Sequence, residues 1–434
     1  MNEVIIISAI SCISLIALVL IKPNININGR AYSIYWLAPL FGAIVLIVFE
    51  CIDPLMVINS LVSSGEFNPI KILILFLSMT IISVFLDSVG FFRRLASTVL
   101  LKAHTSQIAL FVYLYIMVSV LTVFTSNDII VLTFTPFICY FARSAGISAI
   151  PYLVCEFIAA NIWSMALIIG NPTNIYIAAN AGITFAKYFS VMLLPTLLAG
   201  IVSFIVLYLL FKRQLKAPMQ VNIDECQITV KPLVKIGLIH LTLCIILLCV
   251  ASYINLPMWL ISFFFCMSLL ITAAIYLIVH RRGMRILFEV IKRAPWDVVP
   301  FVISMFIIVL TIEKCGISQK LSDILSGQNA VAAFGISSFV TANIVNNIPM
   351  SVLFSSVTNG ISGSQQVAAQ FASIIGSNLG AFLTPIGALA GIMWMGMLKD
   401  HGVKLSFIKF AEYGAAVSIP ALAAALVGLI IRLN

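Results

Sequence analysis

The stretch Gly170-Asn171-Pro172-Thr173-Asn174 interrupts one long apolar run, and Thr384-Pro385-Ile386-Gly387 interrupts another. We call them the first break (residues 170–174) and the second break (residues 384–387). Pro and Gly at membrane depth leave backbone groups that lipid cannot satisfy, so such stretches occur where protein or a wet cavity surrounds them. Paired interruptions in corresponding halves of a hydrophobic chain point to the binding site of a transporter.

The composition is that of a protein embedded in a lipid bilayer. Of the 434 residues, 62% are hydrophobic and 9% are charged, and the mean hydropathy is +1.16. Soluble domains carry about 25% charged residues. A chain of this length has room for roughly ten membrane-spanning helices. Its longest polar connection, residues 212–235, is too short for a soluble domain.

Several classes of protein are disfavoured. The net charge of +9 lies in loops between apolar segments, so we predict no nucleic-acid partner. The nine Cys residues have no paired spacing, which indicates neither a disulfide framework nor a metal centre. The chain has no phosphate-binding loop and no HExxH or GxSxG motif. We therefore predict that it is not an enzyme and needs no cofactor.

A polar interruption precedes each break. We call these the first tip (residues 126–128, Ser-Asn-Asp) and the second tip (residues 346–349, Asn-Asn-Ile-Pro). The apolar arm after the first tip has only about 14 residues before Arg143, fewer than the roughly 17 needed to cross a bilayer. Two full spans are the alternative. We predict re-entrant hairpins and broken helices, with hairpins at residues 107–142 and 330–357 and broken helices at residues 150–179 and 366–398.

The two halves of the chain repeat one layout. When Pro172 and Pro385 are aligned, Ser164 falls opposite Ser377. The chain begins with predicted spans at residues 4–21 and 32–49. We predict three parts: a first repeat with a preceding N-terminal span, a cytoplasmic linker, and a linking span with the second repeat, in residues 1–211, 212–235 and 236–434.

The basic residues predict how the chain is oriented. With both hairpins re-entrant, ten spans remain, and an outside N-terminus places most of the 24 Lys and Arg residues inside. Cytoplasmic loops carry such an excess of basic residues. Both termini are then outside, and the two repeats have opposite topology, as in many secondary transporters.

The tips and breaks are rich in amide and hydroxyl side chains. Amides supply both a donor and an acceptor, and helix N-termini add free backbone N–H groups. Such a set suits a small polar solute without a fixed charge, although helix capping explains each motif taken singly. The predicted substrate-binding residues are Ser126, Asn127, Asn171, Thr173, Asn174, Asn346, Asn347, Ser377, Asn378 and Thr384.

Two acidic residues are candidates for ion coupling. An ionisable side chain at membrane depth is costly, which suggests a function. Asp128 lies beside the predicted solute site and is a candidate proton carrier, with helix N-capping as a second role. Glu156 lies near the start of its span, where contact with interfacial water is the simpler explanation.

At these motifs the chain resembles the arsenite efflux permease and sodium/proton antiporter branch of the ion transporter superfamily. The similar stretches are residues 86–92, 127–136, 294–296, 321–325, 346–349 and 375–387. The resemblance implies an all-α integral membrane fold of about ten transmembrane helices plus two re-entrant hairpins in two inverted-topology repeats. It also implies a scaffold part, a mobile transport part that moves like an elevator, and a homodimer.

The resemblance further implies export of arsenite or antimonite across the cytoplasmic (inner) membrane against proton entry, alone or with a cytoplasmic ATPase. Carried over by motif, Asp128 becomes the coupling residue. The form of the first break and the Ser-Asn tip also resemble sodium-coupled carboxylate transporters of the same superfamily. A sodium-coupled carboxylate or other anion transporter, or a sodium/proton antiporter, is therefore the alternative.

Overall fold

A computed structural model gives the fold of the chain. It describes residues 2–21, 24–27, 30–62, 68–103, 105–217, 219, 231–251, 254, 256–326 and 329–433. The middle of the predicted cytoplasmic linker, residues 220–230, lies outside the described residues.

The N-terminal part combines helices with a small β-hairpin. Helix α1 (Asn2–Ile21) precedes strands β1 (Asn24–Ile27) and β2 (Arg30–Ser33), which pair antiparallel, and α2 (Leu37–Val48) and α3 (Pro54–Val62) follow. The prediction of a span over residues 32–49 was wrong at its start. The alternating Asn-Ile-Asn-Ile of β1 favours a strand, and its pairing holds residues 32–33 in β2. The 12 residues of α2 rise only about 18 Å.

In the described part of the first half, seven more helices follow. They are α4 (Pro69–Ser88), α5 (Phe91–Ala103), α6 (Gln107–Phe124), α7 (Asn127–Ser144), α8 (Ile150–Trp163), α9 (Pro172–Asn180) and α10 (Phe185–Phe211).

The second half adds a linking pair and then the same order of long, short, paired and interrupted helices. They are α11 (Lys231–Val250), α12 (Met258–Val279), α13 (Arg285–Arg293), α14 (Val298–Lys314), α15 (Ile317–Ser326), α16 (Ala330–Val345), α17 (Asn347–Asn359), α18 (Ser364–Gly380), α19 (Leu389–Asp400) and α20 (Phe407–Leu433).

Seven helical segments of the described residues are long and apolar enough to cross a membrane. They are α4, α6, α10, α11, α12, the segment Arg285–Lys314 that contains α13 and α14, and α20. Shorter apolar helices, including α2, α8 and α16, lie among them. The predicted all-helical integral membrane fold is thus confirmed, while the repeat topology and the elevator movement stay predictions.

Both breaks interrupt helices. Between α8 and α9 the chain forms two short 3-10 turns, Ser164–Ala166 and Ile168–Gly170, and between α18 and α19 it forms one, Pro385–Gly387. A Cβ atom added at Gly170 would lie 2.1 Å from the Ser164 carbonyl oxygen. Only glycine allows the chain to fold back on itself so closely.

Both tips join paired helices. Thr125 and Ser126 alone connect α6 to α7, and Asn346 alone connects α16 to α17, with φ of 77°, which asparagine tolerates better than most residues. Helix α7 has 18 residues and is longer than the sequence suggested, because Asn127 and Asp128 already form its first turn. It is not among the candidate spans of the described residues.

Small residues let the tip helices approach the interrupted ones. Helix α16 packs along α18, and α10 packs along α20. A Cβ atom at Gly376 would lie 1.9 Å from Ser338 Oγ, and one at Gly380 would lie 2.7 Å from the Phe339 carbonyl oxygen. Close approach through small residues is a common way to pack helices in membranes.

Candidate solute-binding and ion-coupling site

The first break is fixed by a helix cap. Asn171 has an extended backbone, and its Oδ1 accepts hydrogen bonds from the Thr173 backbone N–H and hydroxyl, both at 3.1 Å. Pro172 takes the first position of α9, where its missing N–H costs no hydrogen bond. The local sequence therefore determines where α9 begins.

Asn378, near the end of α18, joins the second half of the chain to this break. Its Oδ1 accepts from Asn171 Nδ2 and from Ser164 Oγ, each at 3.1 Å. Its Nδ2 donates to Asn174 Oδ1 at 2.6 Å and to the Ile374 carbonyl at 2.8 Å. Both amide hydrogens and both acceptor positions of this buried side chain are thus occupied.

Asn174 completes the network. Its Nδ2 donates to the carbonyls of Ser164 at 2.8 Å and Leu167 at 3.2 Å, and its Oδ1 accepts from Asn378. We call Asn171, Asn174 and Asn378 the asparagine cluster. In this conformation its amides bind each other and the backbone, so the cluster joins α9 to α18 more readily than it binds a solute.

The first tip differs because it keeps unpaired oxygens. Asn127 Nδ2 donates to Asn161 Oδ1 at 3.2 Å. Asn127 Oδ1 and Ser126 Oγ are buried and have no hydrogen-bond partner. Asn161 was not among the predicted residues, although an asparagine in the apolar interior of α8 is itself a signal of a buried polar contact.

Hydrogen bonds connect the first tip to the asparagine cluster. Asn161 Nδ2 donates to the Phe157 carbonyl at 2.8 Å, and Ser164 Oγ lies 2.8 Å from the Asn161 carbonyl oxygen and 3.1 Å from Asn378 Oδ1. A polar path therefore runs from α7 through α8 to α18.

The second break is held against α16 by Asn343, another residue that the sequence did not single out, and against the second tip by Asn346. Asn343 Oδ1 accepts from the Thr384 hydroxyl at 2.8 Å and the Thr384 backbone N–H at 3.2 Å. Its Nδ2 donates to the carbonyls of Phe339 and Gly380 at 3.0 and 3.1 Å. Asn346 Nδ2 donates to the Ile386 carbonyl at 3.0 Å. Thr384 and Asn346 thus fix this region.

Two more predicted ligands are buried near these elements. Ser377 lies next to Asn378 on α18, and its Oγ has no hydrogen-bond partner. Asn347 is buried at the first position of α17, where backbone N–H groups are free of intrahelical bonds. The fully buried oxygens left without a hydrogen-bond partner among the predicted residues are thus Ser126 Oγ, Asn127 Oδ1 and Ser377 Oγ.

Asp128 has an acidic neighbour that the sequence did not reveal. It is half-buried in the first turn of α7, and its carboxyl group lies close enough to Asp297 for the two to interact electrostatically. The Tyr35 hydroxyl lies near the Asp297 carboxyl group, and the Tyr35 ring lies 5.4 Å from that of Phe301. Asp297 precedes α14, so the pair brings the first tip together with α2 and α14.

Glu156 is fully buried, which corrects the expectation that it meets interfacial water. The Thr135 hydroxyl donates to its two carboxyl oxygens at 3.2 and 3.1 Å. The Trp394 indole nitrogen also faces this carboxyl group without reaching full hydrogen-bond geometry. Because α7 and α19 both pack against it, the Glu156 carboxyl group is enclosed by protein.

The tips and breaks carry no fixed positive charge. Among the described residues, the hydrogen bonds at the tips and breaks are made by Asn, Ser, Thr and backbone groups. The same part of the chain holds no group of three His, Cys, Asp or Glu residues that could bind a metal ion. The arrangement therefore offers amide and hydroxyl groups, with a carboxyl pair beside the first tip.

Interrupted helices with buried amides at the interruptions are the architecture of a secondary transporter, and comparison with known proteins supports this class. The family model described as citrate transporter (CitMHS) matches residues 16–376. The chain belongs to this family. It is thus a multi-pass membrane transporter of a small solute and not an enzyme.

Curated relatives place the chain near the arsenite permeases, which confirms the resemblance. The arsenical pump membrane protein of Escherichia coli (strain K12) is 27% identical over 383 residues, covering 83% of this chain and 86% of that protein. The arsenical pump membrane protein of Yersinia enterocolitica is 26% identical over 375 residues, with the same coverage of 83% and 86%.

A solved structure has the same fold. The crystal structure of the YdaH transporter of Alcanivorax borkumensis, which has an unusual topology, matches with a TM-score of 0.59 and 11% sequence identity. The match covers 97% of this chain and 96% of that one. At this identity the likeness concerns the fold alone.

Proposed function

We propose that this transporter exports arsenite, antimonite or a similar small inorganic solute across the cytoplasmic membrane in exchange for protons. The observation that carries the proposal is the set of buried, unpartnered oxygens of Ser126, Asn127 and Ser377, with Asp128 directly beside the first two. Arsenite at neutral pH is the uncharged hydroxide As(OH)₃. Its hydroxyl groups can donate to these oxygens, and no basic residue is needed to balance a charge.

Coupling follows from the position of Asp128 next to Asn127 in one helical turn. A proton taken up by Asp128 changes the charge at the tip where the solute binds. A protein with both sites in one turn can therefore make release of one depend on binding of the other. Glu156, buried one and a half turns before Asn161, is proposed as a second proton site.

We also propose the larger architecture in which this exchange takes place. The transport part comprises both hairpins and both broken helices, and the remaining helices form the scaffold. The two repeats, residues 1–211 with the N-terminal span and residues 236–434, have opposite topology and outside termini. Two copies of the chain form the dimer, and the linker of residues 212–235 is the docking place if an ATPase takes part.

The second candidate is a sodium-coupled transporter of a carboxylate. The description of the family as citrate transporters favours it. The unpartnered oxygens of Ser126 and Asn127 are also suitable ligands for a sodium ion. Against it, a citrate anion would meet the Asp128 and Asp297 pair without a basic residue to offset the repulsion.

Flux measurements with two solutes and two gradients separate the candidates. Everted membrane vesicles with the wild-type protein are supplied with arsenite or citrate, under a proton gradient or a sodium gradient, and vesicles without the protein are the control. We expect arsenite uptake that needs the proton gradient. Citrate uptake driven by sodium, with no arsenite uptake, would replace the first proposal by the second.

A further inference from the structure

A cavity of about 770 Å³ lies between α3, α4, α9, α14 and α17. This volume is in the range of small-molecule sites in proteins. Its polar lining comes from α3, α9, α14 and α17 and from Asp53, which precedes α3, and consists chiefly of Asp53, Asn59, Tyr176, Glu313, Ser355 and Ser356. None of these residues belongs to the tips or the breaks.

The cavity has exposed acidic residues at its mouth and buried residues with hydroxyl groups in its wall. Asp53, Asn59 and Glu313 are exposed. Tyr176 is 7% exposed and Ser356 is 8% exposed. Ser356 Oγ has no hydrogen-bond partner, and the Tyr176 hydroxyl lies close enough to Glu313 for an electrostatic interaction. The buried wall thus reaches the acidic mouth.

The wall is built by the two helices that start at the candidate site. Tyr176 lies two residues after Asn174 on α9, and Ser356 lies on α17, which begins at Asn347. Nine residues of helix rise about 14 Å, so the cavity runs along α17 to its far end. The cavity is lined in part by α9 and α17, which belong to the elements that are proposed to move.

The charge of the cavity is negative. Among the described residues, its lining contains Asp53 and Glu313 and no Lys, Arg or His. In the described part of the chain neither carboxylate takes part in a salt bridge, and Asp53 Oδ1 accepts only the Leu55 backbone N–H at 2.9 Å. Carboxylate, phenol, hydroxyl and amide oxygens are the ligands of hard cations.

We propose that this cavity is a second ligand site of the protein and that it binds a hard cation through oxygen ligands of Asp53, Glu313, Tyr176 and Ser356. A concave negative surface raises the local concentration of cations and repels anions. The cavity therefore collects cations beside α9 and α17. Its role as a supplier of the coupling ion rests on the proposed function, whereas cation binding itself does not.

Terbium luminescence tests the binding directly. Tb³⁺ is a hard, oxygen-seeking cation whose emission is sensitised by a nearby excited tyrosine. Purified full-length protein in detergent is titrated with Tb³⁺, and Glu313→Gln and Tyr176→Phe are compared with Glu289→Gln. Glu289 is a matched control because it is an exposed helical carboxylate paired with Arg285, outside the cavity.

We expect Tb³⁺ affinity at least about tenfold weaker in Glu313→Gln, most of the sensitised emission lost in Tyr176→Phe, and no change in Glu289→Gln. Competition by sodium chloride, against choline chloride, would assign the site to sodium, and competition by calcium or magnesium would assign it to a divalent cation. If Glu313→Gln elutes as aggregate, Asp53→Asn at the exposed mouth takes its place.

Equal affinity and emission in the wild type and the folded carboxylate variant would overturn the proposal, as would full emission in Tyr176→Phe. The result is independent of the solute. Terbium binding with the expected pattern, together with no arsenite flux in vesicles, would leave the cation site standing and remove the proposed function.

Discussion

Asp128 and the side chains around it set the chemistry of the first tip. Asn127 gives one amide hydrogen to Asn161 and keeps its carbonyl oxygen free, Ser126 keeps its hydroxyl free, and Asp297 adds a second carboxyl group. The asparagine cluster is different because its amides are already paired. We therefore expect a substitution at the tip to affect mainly transport, and a substitution in the cluster to affect mainly the stability of the fold.

Asn378→Ala tests the structural role of the asparagine cluster. The change leaves Asn171 Nδ2, Asn174 Oδ1 and Ser164 Oγ with fewer partners, and each unsatisfied buried group costs about 1–3 kcal/mol. We expect the free energy of unfolding to fall by about 3 kcal/mol, measured by denaturant unfolding in micelles. Gln365→Ala, on the exposed face of the same helix, is the control. Equal free energies of unfolding for Asn378→Ala and Gln365→Ala would contradict the structural role of the asparagine cluster.

The sequence predicted the tip and break residues because polar groups and prolines stand out in apolar runs. It missed Asn161, Asn343 and Asp297, which lie inside or at the start of helices. Each contacts or lies near a residue that is distant in the chain: Asn161 near Asn127, Asn343 near Thr384, and Asp297 near Asp128. Periodicity and composition do not specify such partners, because the contacts arise only when helices pack.

At the scale of elements, the contact of α16 with α18 positions the second tip against the second break. Gly376 lets α18 approach Ser338 and the Gly335 carbonyl oxygen, where an added Cβ atom would lie at 1.9 and 2.4 Å. The helices cannot separate without displacing Asn343, which bridges α16 to Thr384 and Gly380. Packing and the geometry of the site are therefore linked.

The substitution Gly376→Ala should disturb both the packing of α16 against α18 and the geometry of the site. The added methyl group meets backbone as well as a side chain. We therefore expect the free energy of unfolding to fall by about 1–3 kcal/mol and transport to be weaker. Gly396→Ala on α19 is a matched control, since nothing lies within 4 Å of its Cβ position, and helix propensity favours alanine by about 1 kcal/mol. Unfolding of both variants in micelles is the measurement. A neutral Gly376→Ala would refute the close approach.

The elements were predicted well where a clear start or stop is present, as at Pro172 and Asn346. They were predicted less well at α2 and α7. The first residues of the predicted second span belong instead to strand β2, because that stretch pairs with β1. Helix α7 gained residues at both ends, because Asn127 begins it at the tip and Ser144 still belongs to its last turn.

At the scale of the whole molecule, the order of long, short, paired and interrupted helices from α4 to α10 is repeated from α14 to α20. In each half a short helix follows a long one, and paired helices and an interrupted helix come next. The comparison with the YdaH transporter supports the fold over nearly the whole chain. Opposite topology of the halves, outside termini and elevator movement remain predictions of the charge pattern and of the family resemblance.

Single cysteines in a cysteine-free background test the topology. If α6 and α7 form a re-entrant hairpin, Lys102→Cys and Arg143→Cys react with an impermeant thiol reagent from the same side, the cytoplasmic one. Lys320→Cys and Asn359→Cys, at the ends of the second hairpin, react from the other side. Labelling with a permeant reagent is the control for access. If the cysteines at positions 102 and 143 react from opposite sides of the membrane, the hairpin between these two positions is not re-entrant.

The most direct test of the central claim is arsenite uptake into everted vesicles under a proton gradient, for the wild type and Asp128→Asn. Asp323→Asn, an exposed residue of α15, controls for loss of an acidic side chain. We predict gradient-driven uptake in the wild type and in Asp323→Asn, and loss of at least about 90% of it in Asp128→Asn. Full proton-driven uptake in folded Asp128→Asn would contradict the account.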